Sequence, residues 1–539
     1  MPTFDLLVEP WIPVVRSDGS PGEMGLRQVL ADAPSLREIR DPIPTIEFGL
    51  YRLLVALVMD IFELRETPDL EDLLAAGHFD GQRVNAYFER WGDRFDLFHP
   101  EHPCMQTAGM ENEDEKPLAA LLPAVPSGTN ALHFHHHTEN TFAVSQAAAA
   151  RLLATMSSFM TAGGAGLSPS INGAPPWYVL IQGKSVFDTV CLNCCVSPLP
   201  QATGDAPPAW RNSRPIDDTQ RRTGTSLLEA LTWRPRRIQL IPSGTGICSL
   251  TGVQSPTIVR TMRFCAGDSR DFGWRDPNVA YHMRADRVAP LRPREGRELW
   301  RDTGALAMLH EHDRLGDGDR ASERFERPVI VTQFARLVAD GVLDAQATLN
   351  LAAYGMRTDM KMKVFEWQRE PLSLPAPLVW RSPFRAYTYL ATDQAERAAA
   401  CLRCATKRAY PRDGQGNKAA FGARIAEAQR GYWQALRPDF YRLLEQLADL
   451  PDRGGDEQLA SYMAAWQERV TQAAWVALDR AIGDLDTDAD ALARQVAARV
   501  GFRVAIAGLF TPPSERRART KRRAARGGPA ADNNARGGA

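Results

Sequence analysis

The sequence has almost no net charge, no long apolar run and few cysteines, and each absence excludes a class of protein. With 64 basic and 65 acidic residues, the formal net charge is −1. No whole-molecule field would therefore hold the chain on nucleic acid, so any such role must come from local patches. The longest apolar stretch, residues 49–62, is interrupted by Arg52 and Asp60 and is too short to cross a bilayer.

Cysteine usage and the first residues of the chain bear on the cellular compartment. Eight cysteines among 539 residues, with no basic segment and apolar run at the start, indicate reduced thiols and no secretory signal. We therefore expect a cytoplasmic protein without membrane association. The hydrophobic share of 44% is ordinary for a globular protein and sufficient for more than one core.

Hydrophobic periodicity changes along the chain. Before about residue 377, the pattern predicts strands and helices in an irregular mixture, with strands at 4–8, 14–16, 177–181 and 237–241 and helices at 47–64 and 145–161. After that point, short breakers separate helical segments at 386–408, 418–449, 455–484 and 487–509. Short connections between long amphipathic helices predict antiparallel neighbours.

We therefore predict an α+β fold: a large irregular α+β domain over residues 1–377, a C-terminal four-helix bundle over 378–510 and a disordered basic tail over 511–539. The tail cannot bury a core, and it fits a solubilising role as well as non-specific attraction to nucleic acid. The predicted seam of the third helix has residues alternately four and three apart, namely Leu459, Met463, Trp466, Val470, Ala473 and Ala477.

Two groups of histidines have side chains that could bind a metal. Adjacent side chains on an extended segment point in alternating directions, so the run His133–His137 cannot enclose an ion unaided, and a polar loop that contacts a partner is favoured. The second group, His310-Glu-His312-Asp313, lacks a matching set elsewhere, which favours a solvated helix end. A metal-dependent phosphohydrolase or nuclease that uses these histidines is the alternative hypothesis.

Two cysteine pairs have metal or redox spacing, Cys191-x-x-Cys194-Cys195 and Cys401-x-x-Cys404. Both lie in segments predicted to be packed, and buried free cysteine is common, so a structural role is favoured for both. The sequence contains no P-loop, nucleophile elbow, kinase set or dinucleotide fingerprint. We expect no catalytic residues, no metal and no cofactor.

Glycine and arginine clusters indicate where nucleic acid could bind. The cluster Gly163-Gly164-Ala165-Gly166 would let the backbone approach a minor groove or a phosphate, with an ordinary helix C-cap as the alternative. Basic residues could form a discontinuous phosphate track or merely solvated faces. They occur at 233–237, at six arginines between 284 and 301, and at Lys361 with Lys363.

Five blocks of the sequence occur in an order that resembles a known family. They are Phe4–Val14, the helix at 47–57, Arg94–Gln106, Ser127–His137 and Tyr354–Met360. Together they resemble the CasA family, the large subunit of the type I-E CRISPR Cascade surveillance complex. The resemblance runs from Phe4 to about Phe510 and implies an irregular N-terminal α+β domain that carries a four-helix bundle.

The resemblance also implies a function without catalysis. The guide RNA would read the target by base pairing, while this subunit recognises the PAM in double-stranded DNA and helps to start strand separation and R-loop formation. The implied partners are the other Cascade subunits, the 5′ end of the crRNA, double-stranded target DNA and a recruited helicase–nuclease.

Individual residues are assigned by the same resemblance. A loop that meets the 5′ end of the guide RNA beside the PAM would contain Asn130, Leu132, His133, Phe134 and His135. A glycine loop at the minor groove would contain Gly163, Gly164 and Gly166, and Arg263 would be the basic residue that reaches into the groove. A hairpin tip that wedges below the PAM would contain Thr358, Asp359, Met360 and Lys361.

Two positions depart from what relatives can have. Relatives can place Gln at the wedge, where this chain has Met360; a thioether can still push a base step apart, but it lacks the amide's hydrogen bonds. Some relatives have Cys-x-x-Cys-Gly where this chain has Cys248-Ser-Leu-Thr251-Gly252, so that Thr251 removes one zinc ligand.

Overall fold

The computed structural model describes most of the chain. The described residues are 3–122, 141–163, 166–212, 221–284, 287–307, 324–346, 348–358, 364–380, 384–410, 418–451, 453–483, 485 and 488–510. The chain divides into two compact units. The first comprises Met1–Leu299, Ala305–His310 and Glu323–Trp380, and the second comprises Trp300–Gly304, Glu311–Ser322 and Arg381–Ala539.

The helices within these ranges are numbered in chain order. They are α1 Leu26–Asp32, α2 Pro44–Ile61, α3 Thr67–Ala76, α4 Gly81–Trp91, α5 Gln146–Ala154, α6 Met156–Phe159, α7 Val186–Asn193, α8 Leu227–Leu231, α9 Thr303–Ala307, α10 Val329–Ala339, α11 Ala376–Trp380, α12 Arg385–Ala409, α13 Lys418–Ala448, α14 Asp456–Gly483 and α15 Ala489–Leu509.

The strands are β1 Ile12–Arg16, β2 Pro21–Met24, β3 Leu36–Ile39, β4 Glu115–Pro117, β5 Val144–Ser145, β6 Tyr178–Gln182, β7 Arg221–Arg222, β8 Arg236–Ser243, β9 Gly246–Ile247, β10 Gln254–Ser255, β11 Ile258–Ala266, β12 Ser269–Arg270, β13 Tyr281–Arg284, β14 Arg287–Pro290, β15 Arg324–Glu326, β16 Thr348–Thr358 and β17 Val364–Pro375. They form several small sheets. Those that bear on the candidate site have the strand orders β17-β16-β6 and β4-β11-β5, with β8 also paired to β11.

Helix α2 is the centre of the core of the first unit, as its apolar pattern predicts. Every residue from Thr45 to Ile61 is buried, and the Phe48 ring packs against the rings of Phe159, Tyr178 and Tyr354. Helix α2 begins at Pro44, whose missing N–H is no loss in the first turn. A helix that is apolar on nearly all sides must be covered on all sides, which explains why short elements surround it.

Two predictions of local structure in the first unit are wrong. In place of the strand predicted over 4–8, Asp5 makes an isolated antiparallel bridge with Asp96 and residues 6–8 form a turn, in which Asp5 accepts hydrogen bonds from the backbone of Leu7 (2.9 Å) and Val8 (3.1 Å). The helix predicted over 145–161 is divided into α5 and α6 at Thr155, whose hydroxyl donates to Leu152 O at 2.7 Å. The strands predicted at 14–16, 177–181 and 237–241 are confirmed within β1, β6 and β8.

The second unit contains the predicted C-terminal helices, and the α+β fold class is confirmed. Helices α12 to α15 begin and end within two residues of the predicted segments. Their polar ring atoms hydrogen-bond to the backbone of a neighbouring helix: Trp466 Nε1 donates to Ala391 O at 3.1 Å, and Tyr432 Oη to Ala395 O at 2.9 Å. One seam position was wrong, since Ala474 is buried and Ala473 only half-buried. The tail predicted over 511–539 lies outside the described residues.

Candidate nucleic-acid interface

Two glycines of the cluster, Gly163 and Gly166, lie within the described residues after α6, and we refer to them together as the glycine turn. Gly163 N donates to Leu167 O at 3.2 Å, and a Cβ on Gly163 would lie 2.9 Å from Leu167 Cδ1. Gly166 has a φ of +81°, a left-handed conformation that glycine adopts without steric cost. The alternative of a helix C-cap is wrong, because α6 is ended by Met160 in an extended conformation.

A buried arginine holds both ends of this turn. The Arg236 guanidinium donates to Thr161 O at 2.9 Å before the glycines and to Ser168 O after them. Arg236 is 1% exposed, and burial lowers the pKa of its guanidinium to about 10. The planar fork can bond to two carbonyls at once, so this side chain fixes the entry and the exit of the glycine turn.

Arg263 lies on the strand next to Arg236 but on the opposite face of the sheet. In the antiparallel pair of β8 and β11, Arg236 is opposite Ala266 and Arg263 is opposite Gln239. Since side chains alternate along a strand, and Ala266 and Arg263 are an odd number of positions apart, the two guanidiniums lie on different faces. Arg263 donates to Met110 O (3.2 Å) and to Glu111 O, so the structure does not bring it to the face of the glycine turn.

The segment predicted to carry the wedge is a long antiparallel ribbon. Strands β16 and β17 pair from Thr348–Pro375 to Thr358–Val364, whereas β6 pairs with β16 only from Asn350 to Tyr354. Thr358 therefore lies four residues, or about 13 Å, beyond the last pair with β6. Gly355 permits close packing at the point of departure, because a Cβ there would lie 2.7 Å from the Trp177 ring.

The base of the ribbon is fastened to α2 through Glu47. This carboxylate is 1% exposed, and it accepts hydrogen bonds from Tyr354 Oη on β16 and from Arg369 Nε on β17, the latter at 3.0 Å. Burial raises the pKa of Glu47, although the Tyr354 hydrogen bond and the Arg369 charge oppose the shift. One buried side chain thus ties both strands of the ribbon to the central helix.

Many predicted site residues lie outside the described residues. These are Asn130, Leu132, His133, Phe134 and His135 of the guide-RNA loop, Gly164, and Asp359, Met360 and Lys361 of the wedge. The histidines at 133–137 and the segment 310–313, which carry the alternative metal hypothesis, are outside as well. Of the assigned set, the structure therefore places Gly163, Gly166, Arg263 and Thr358.

The basic cluster at 233–237 does not form the predicted phosphate track, because its guanidiniums bind the protein's own backbone. Arg234 donates to Gln106 O at 3.1 Å and Arg237 to Ala266 O at 3.0 Å, in addition to the bonds of Arg236. In the cluster between 284 and 301, Arg301 pairs with Glu396 at 2.8 Å. Arg292 and Arg294 are exposed and remain candidates for phosphate contacts.

The two cysteine groups differ in burial, and only the first has the features of structural thiols. Cys191, Cys194 and Cys195 are buried, and burial raises the pKa of each, that of Cys195 to about 12. Cys401 and Cys404 lie one turn apart on α12; Cys401 is half-buried and Cys404 is exposed, so the expectation that this pair is packed is wrong for Cys404. Within the described part of the chain, no group of three or more His, Cys, Asp or Glu side chains is placed to hold a metal ion.

Sequence reasoning missed the two residues that position the candidate elements, Glu47 and Arg236. A signal existed for Glu47, since it is an acidic residue in an otherwise apolar helix segment. Arg236 gave none, because it is one of three arginines in a short basic run and its partners Thr161 and Ser168 are distant in sequence.

A family model described as CRISPR-associated protein Cse1 matches residues 5–477. The chain belongs to the CRISPR-associated Cse1 family. The resemblance found in the sequence blocks is thereby confirmed. A Cse1 relative from Thermus thermophilus, the CRISPR-associated protein CasA/Cse1, is 32% identical over 317 residues, which are 56% of this chain. The aligned region spans 60% of that relative, less than two thirds of its length.

Solved Cse1 structures share the fold. CasA from Thermus thermophilus has a TM-score of 0.73 at 25% identity, over 94% of this chain and 99% of that chain. Cse1 from Acidimicrobium ferrooxidans has a TM-score of 0.71 at 23% identity, over 94% and 98%. A chain of a CRISPR RNA-guided surveillance complex has a TM-score of 0.69 at 21% identity, over 95% and 100%. Of the helices that the structure describes, none combines the length and apolar character needed to cross a membrane.

Proposed function

We propose that this chain is the non-catalytic large subunit of a type I-E Cascade complex, which recognises the PAM in double-stranded DNA and helps to start strand separation. The observation that carries the proposal is the match of the Cse1 family model over residues 5–477. The fold shared with a chain of a CRISPR RNA-guided surveillance complex supports it. In such a complex, sequence is read by the guide RNA, and the protein is left to probe the duplex.

The geometry suits that task in two respects. Gly163 and Gly166 are exposed and have no side chains, and Arg236 binds the backbone on either side of them, at Thr161 and Ser168, as close approach to a groove requires. The ribbon of β16 and β17 extends beyond its sheet, and its anchored end is buried. The opposite end could therefore press between two base pairs of DNA while the anchored end stays in place. We propose that Thr358, Asp359, Met360 and Lys361 act there as the wedge.

The remaining contacts are proposed from the family alone. Asn130, Leu132, His133, Phe134 and His135 would meet the 5′ end of the crRNA beside the PAM. Arg263 could bind in the minor groove only if its guanidinium gave up the hydrogen bonds to Met110 O and Glu111 O and formed hydrogen bonds to DNA instead. The other Cascade subunits and a recruited helicase–nuclease complete the set of partners, and the cleavage chemistry would belong to the nuclease.

Substitution at the glycine turn tests the proposal in a reconstituted complex. Gly166→Ala introduces a Cβ at a φ of +81°, and Gly77→Ala does the same at +71°; neither Cβ would meet an atom within 4 Å. Each should cost about 1 kcal/mol of stability. We expect only Gly166→Ala to weaken target-duplex binding, by roughly tenfold, equivalent to about 1.4 kcal/mol. Equal target binding by both variants would contradict a role for the turn at DNA.

The wedge and the absence of catalysis require separate measurements. Met360→Ala should leave incorporation into the crRNA complex unchanged and slow R-loop formation, which a fluorescent base in the target duplex reports. A metal analysis and a nuclease assay on the purified chain address the alternative hypothesis. Stoichiometric metal together with DNA cleavage that is lost in His133→Ala would replace the proposal with a metal-dependent nuclease.

A further inference from the structure

A cavity of about 330 Å³ lies inside the first unit, beside the central helix. Its walls come from α2, from the end of α5 with the start of α6, and from the segments at 101–108, 209–212 and 231–234. That volume is at the lower end of the range of small-ligand sites. Glu101 and His102 place one side of the cavity at the surface, since their side chains are 79% and 34% exposed.

One part of the wall is apolar and aromatic. It is formed by Leu53, Leu153, Met156, Leu231, Trp210 and Trp233. The indole N–H of Trp210 already donates to Tyr87 Oη at 2.7 Å, and its ring centroid lies 5.8 Å from that of Phe95. A ligand can therefore contact only the part of the Trp210 ring that lines the cavity. Aromatic rings of this kind bind planar groups by stacking, with little regard to the identity of the planar group.

The other part of the wall contains polar side chains whose hydrogen bonds are incomplete. Arg234 donates through Nη1 to Gln106 O at 3.1 Å, but its buried Nε has no hydrogen-bond partner, and neither has the buried hydroxyl of Thr107. Arg94 Nε also lacks a hydrogen bond, although it lies 3.4 Å from Asp93 Oδ2. Gln106, by contrast, is satisfied at both ends of its amide. Unpaired buried donors are disfavoured unless a ligand completes them.

The cavity wall also contains a strained residue. Met105 has a φ of +57°, which non-glycine residues rarely adopt. Such strain persists where the surrounding structure holds it in place, and it concentrates at binding sites. Met105 lies in the block Arg94–Gln106, which supports the family resemblance but has no role in the proposed DNA contacts.

We propose that this cavity binds one unpaired nucleotide, with its base against the indoles and its phosphate at Arg94 and Arg234. An apolar ligand would leave the Nε atoms of Arg94 and Arg234 and the Thr107 hydroxyl without hydrogen bonds, and a bare phosphate would leave the aromatic wall in water. A nucleotide supplies both a planar base and an anion that guanidinium binds well. The inference rests on the proposed function only for the source of the nucleotide, which is a strand end in the complex or a free nucleoside monophosphate.

The first measurement is calorimetric titration of the purified full chain with each of the four nucleoside 5′-monophosphates. We expect one site per chain, with the matching nucleoside and inorganic phosphate each binding at least roughly tenfold more weakly, because each keeps only one of the two interactions. Failure of all four monophosphates to bind would overturn the proposal.

Variants then locate the site. Arg234→Gln should weaken monophosphate binding roughly tenfold, as expected for a charge-assisted bond, and Thr107→Val about threefold. Ala108→Leu, which adds volume to the wall, should weaken it as well. The matched control is Arg65→Gln, since Arg65 is 54% exposed and pairs only loosely with Asp205 at 3.7 Å. Binding that is unchanged in both Thr107→Val and Ala108→Leu would place the nucleotide elsewhere and overturn the proposal.

Competition with a 5′-phosphorylated single-stranded oligonucleotide separates the two sources. Displacement of the monophosphate by the oligonucleotide indicates a strand end, and retention of the monophosphate indicates a free nucleotide; both results require the same cavity. The proposed function is measured independently, through target binding by the reconstituted complex with no monophosphate added. A chain that binds monophosphate in this cavity but does not support target binding would contradict the proposed function alone.

Discussion

Arg52 Nη2 lies 2.7 Å from Asp276 Oδ2, and the two side chains are 2% and 0% exposed. The arginine stands in the middle of α2, and the aspartate follows 224 residues later. Asn172 Nδ2 donates to the same carboxylate oxygen at 2.9 Å, and Arg52 Nε donates to Leu231 O at 3.3 Å. These hydrogen bonds support both members of the pair, although Arg52 Nη1 has no hydrogen-bond partner, and the pair joins the central helix to the chain around residue 276.

Removal of one member of this pair should destabilise the first unit. Asp276→Asn would leave a buried guanidinium without a counter-charge, and we expect the free energy of unfolding to fall by about 3–5 kcal/mol. Urea unfolding followed by circular dichroism measures the change. The control is Asp205→Asn at the Arg65–Asp205 surface pair, whose side chains are 54% and 88% exposed and where a loss of about 1 kcal/mol or less is expected. Similar losses in the two variants would show that the buried pair is not a structural anchor.

Arg236 should be required for target binding although it is buried. Arg236→Lys keeps the charge but loses the planar fork that joins Thr161 O and Ser168 O, so the glycine turn would be less well fixed. We expect target-duplex affinity of the reconstituted complex to fall roughly tenfold, equivalent to about 1.4 kcal/mol. Arg237→Lys is the neighbouring control, because Arg237 bonds to Ala266 O at the other face of the strand. An unchanged affinity in Arg236→Lys, with its fold intact, would contradict this positioning role.

The cysteines should differ sharply in reactivity. Burial raises the pKa of Cys195 and of Cys104 to about 12, so almost no thiolate is present on either at pH 8, and neither is open to solvent. Cys404 is exposed on α12. Iodoacetamide at pH 8, followed by peptide mass analysis, should label Cys404 first, and Cys404→Ser should remove that early product. Early labelling at Cys195 in folded protein would indicate that the first unit opens around it.

Glu47 should give the protein a pH dependence of definite sign. Because burial raises the folded-state pKa above the ordinary value of 4.5, the stability linked to this proton is fully present below that value. It is lost as the pH rises through the raised pKa. In urea unfolding between about pH 4 and pH 8, the stability of the native protein relative to Glu47→Gln should therefore decrease with rising pH. Asp72→Asn, which removes an exposed carboxylate from the same unit, is the matched control. A native advantage over Glu47→Gln that grows with pH would mean that the partners of Glu47, not its burial, dominate.

The sequence predicts the second unit better than the first, because the structure of the second depends mainly on residues close together in the chain. Short breakers separate α12 to α15, so the bounds of these helices follow from neighbouring residues. The first unit depends on distant partners instead. Glu47 and Arg369 are 322 residues apart, and Arg236 and Thr161 are 75 apart. Composition and periodicity contain no information about such pairs. Local hydrogen bonds can also override a strand pattern, as those of Asp5 do.

The candidate site shows the same limit. A glycine cluster is visible in sequence, and the structure places Gly163 and Gly166 in a turn. The sequence could not predict on which face of the sheet the Arg263 side chain lies. That depends on the register of β8 against β11, and a shift by one residue would place the side chain on the other face. The family resemblance assigned Arg263 to the groove without access to that register.

The length by which the ribbon of β16 and β17 extends beyond its sheet can change without disturbing the core. Its base is fixed at Tyr354 and Arg369, and side-chain facing repeats every two residues. Insertion of two residues into each strand beyond Gly355 would move the end outward by about 7 Å and leave every inward-facing side chain inward. Insertion of one residue into each strand would turn the side chains beyond it to the opposite face. The length of the ribbon can therefore change only in steps of two residue pairs if its side chains are to keep their faces.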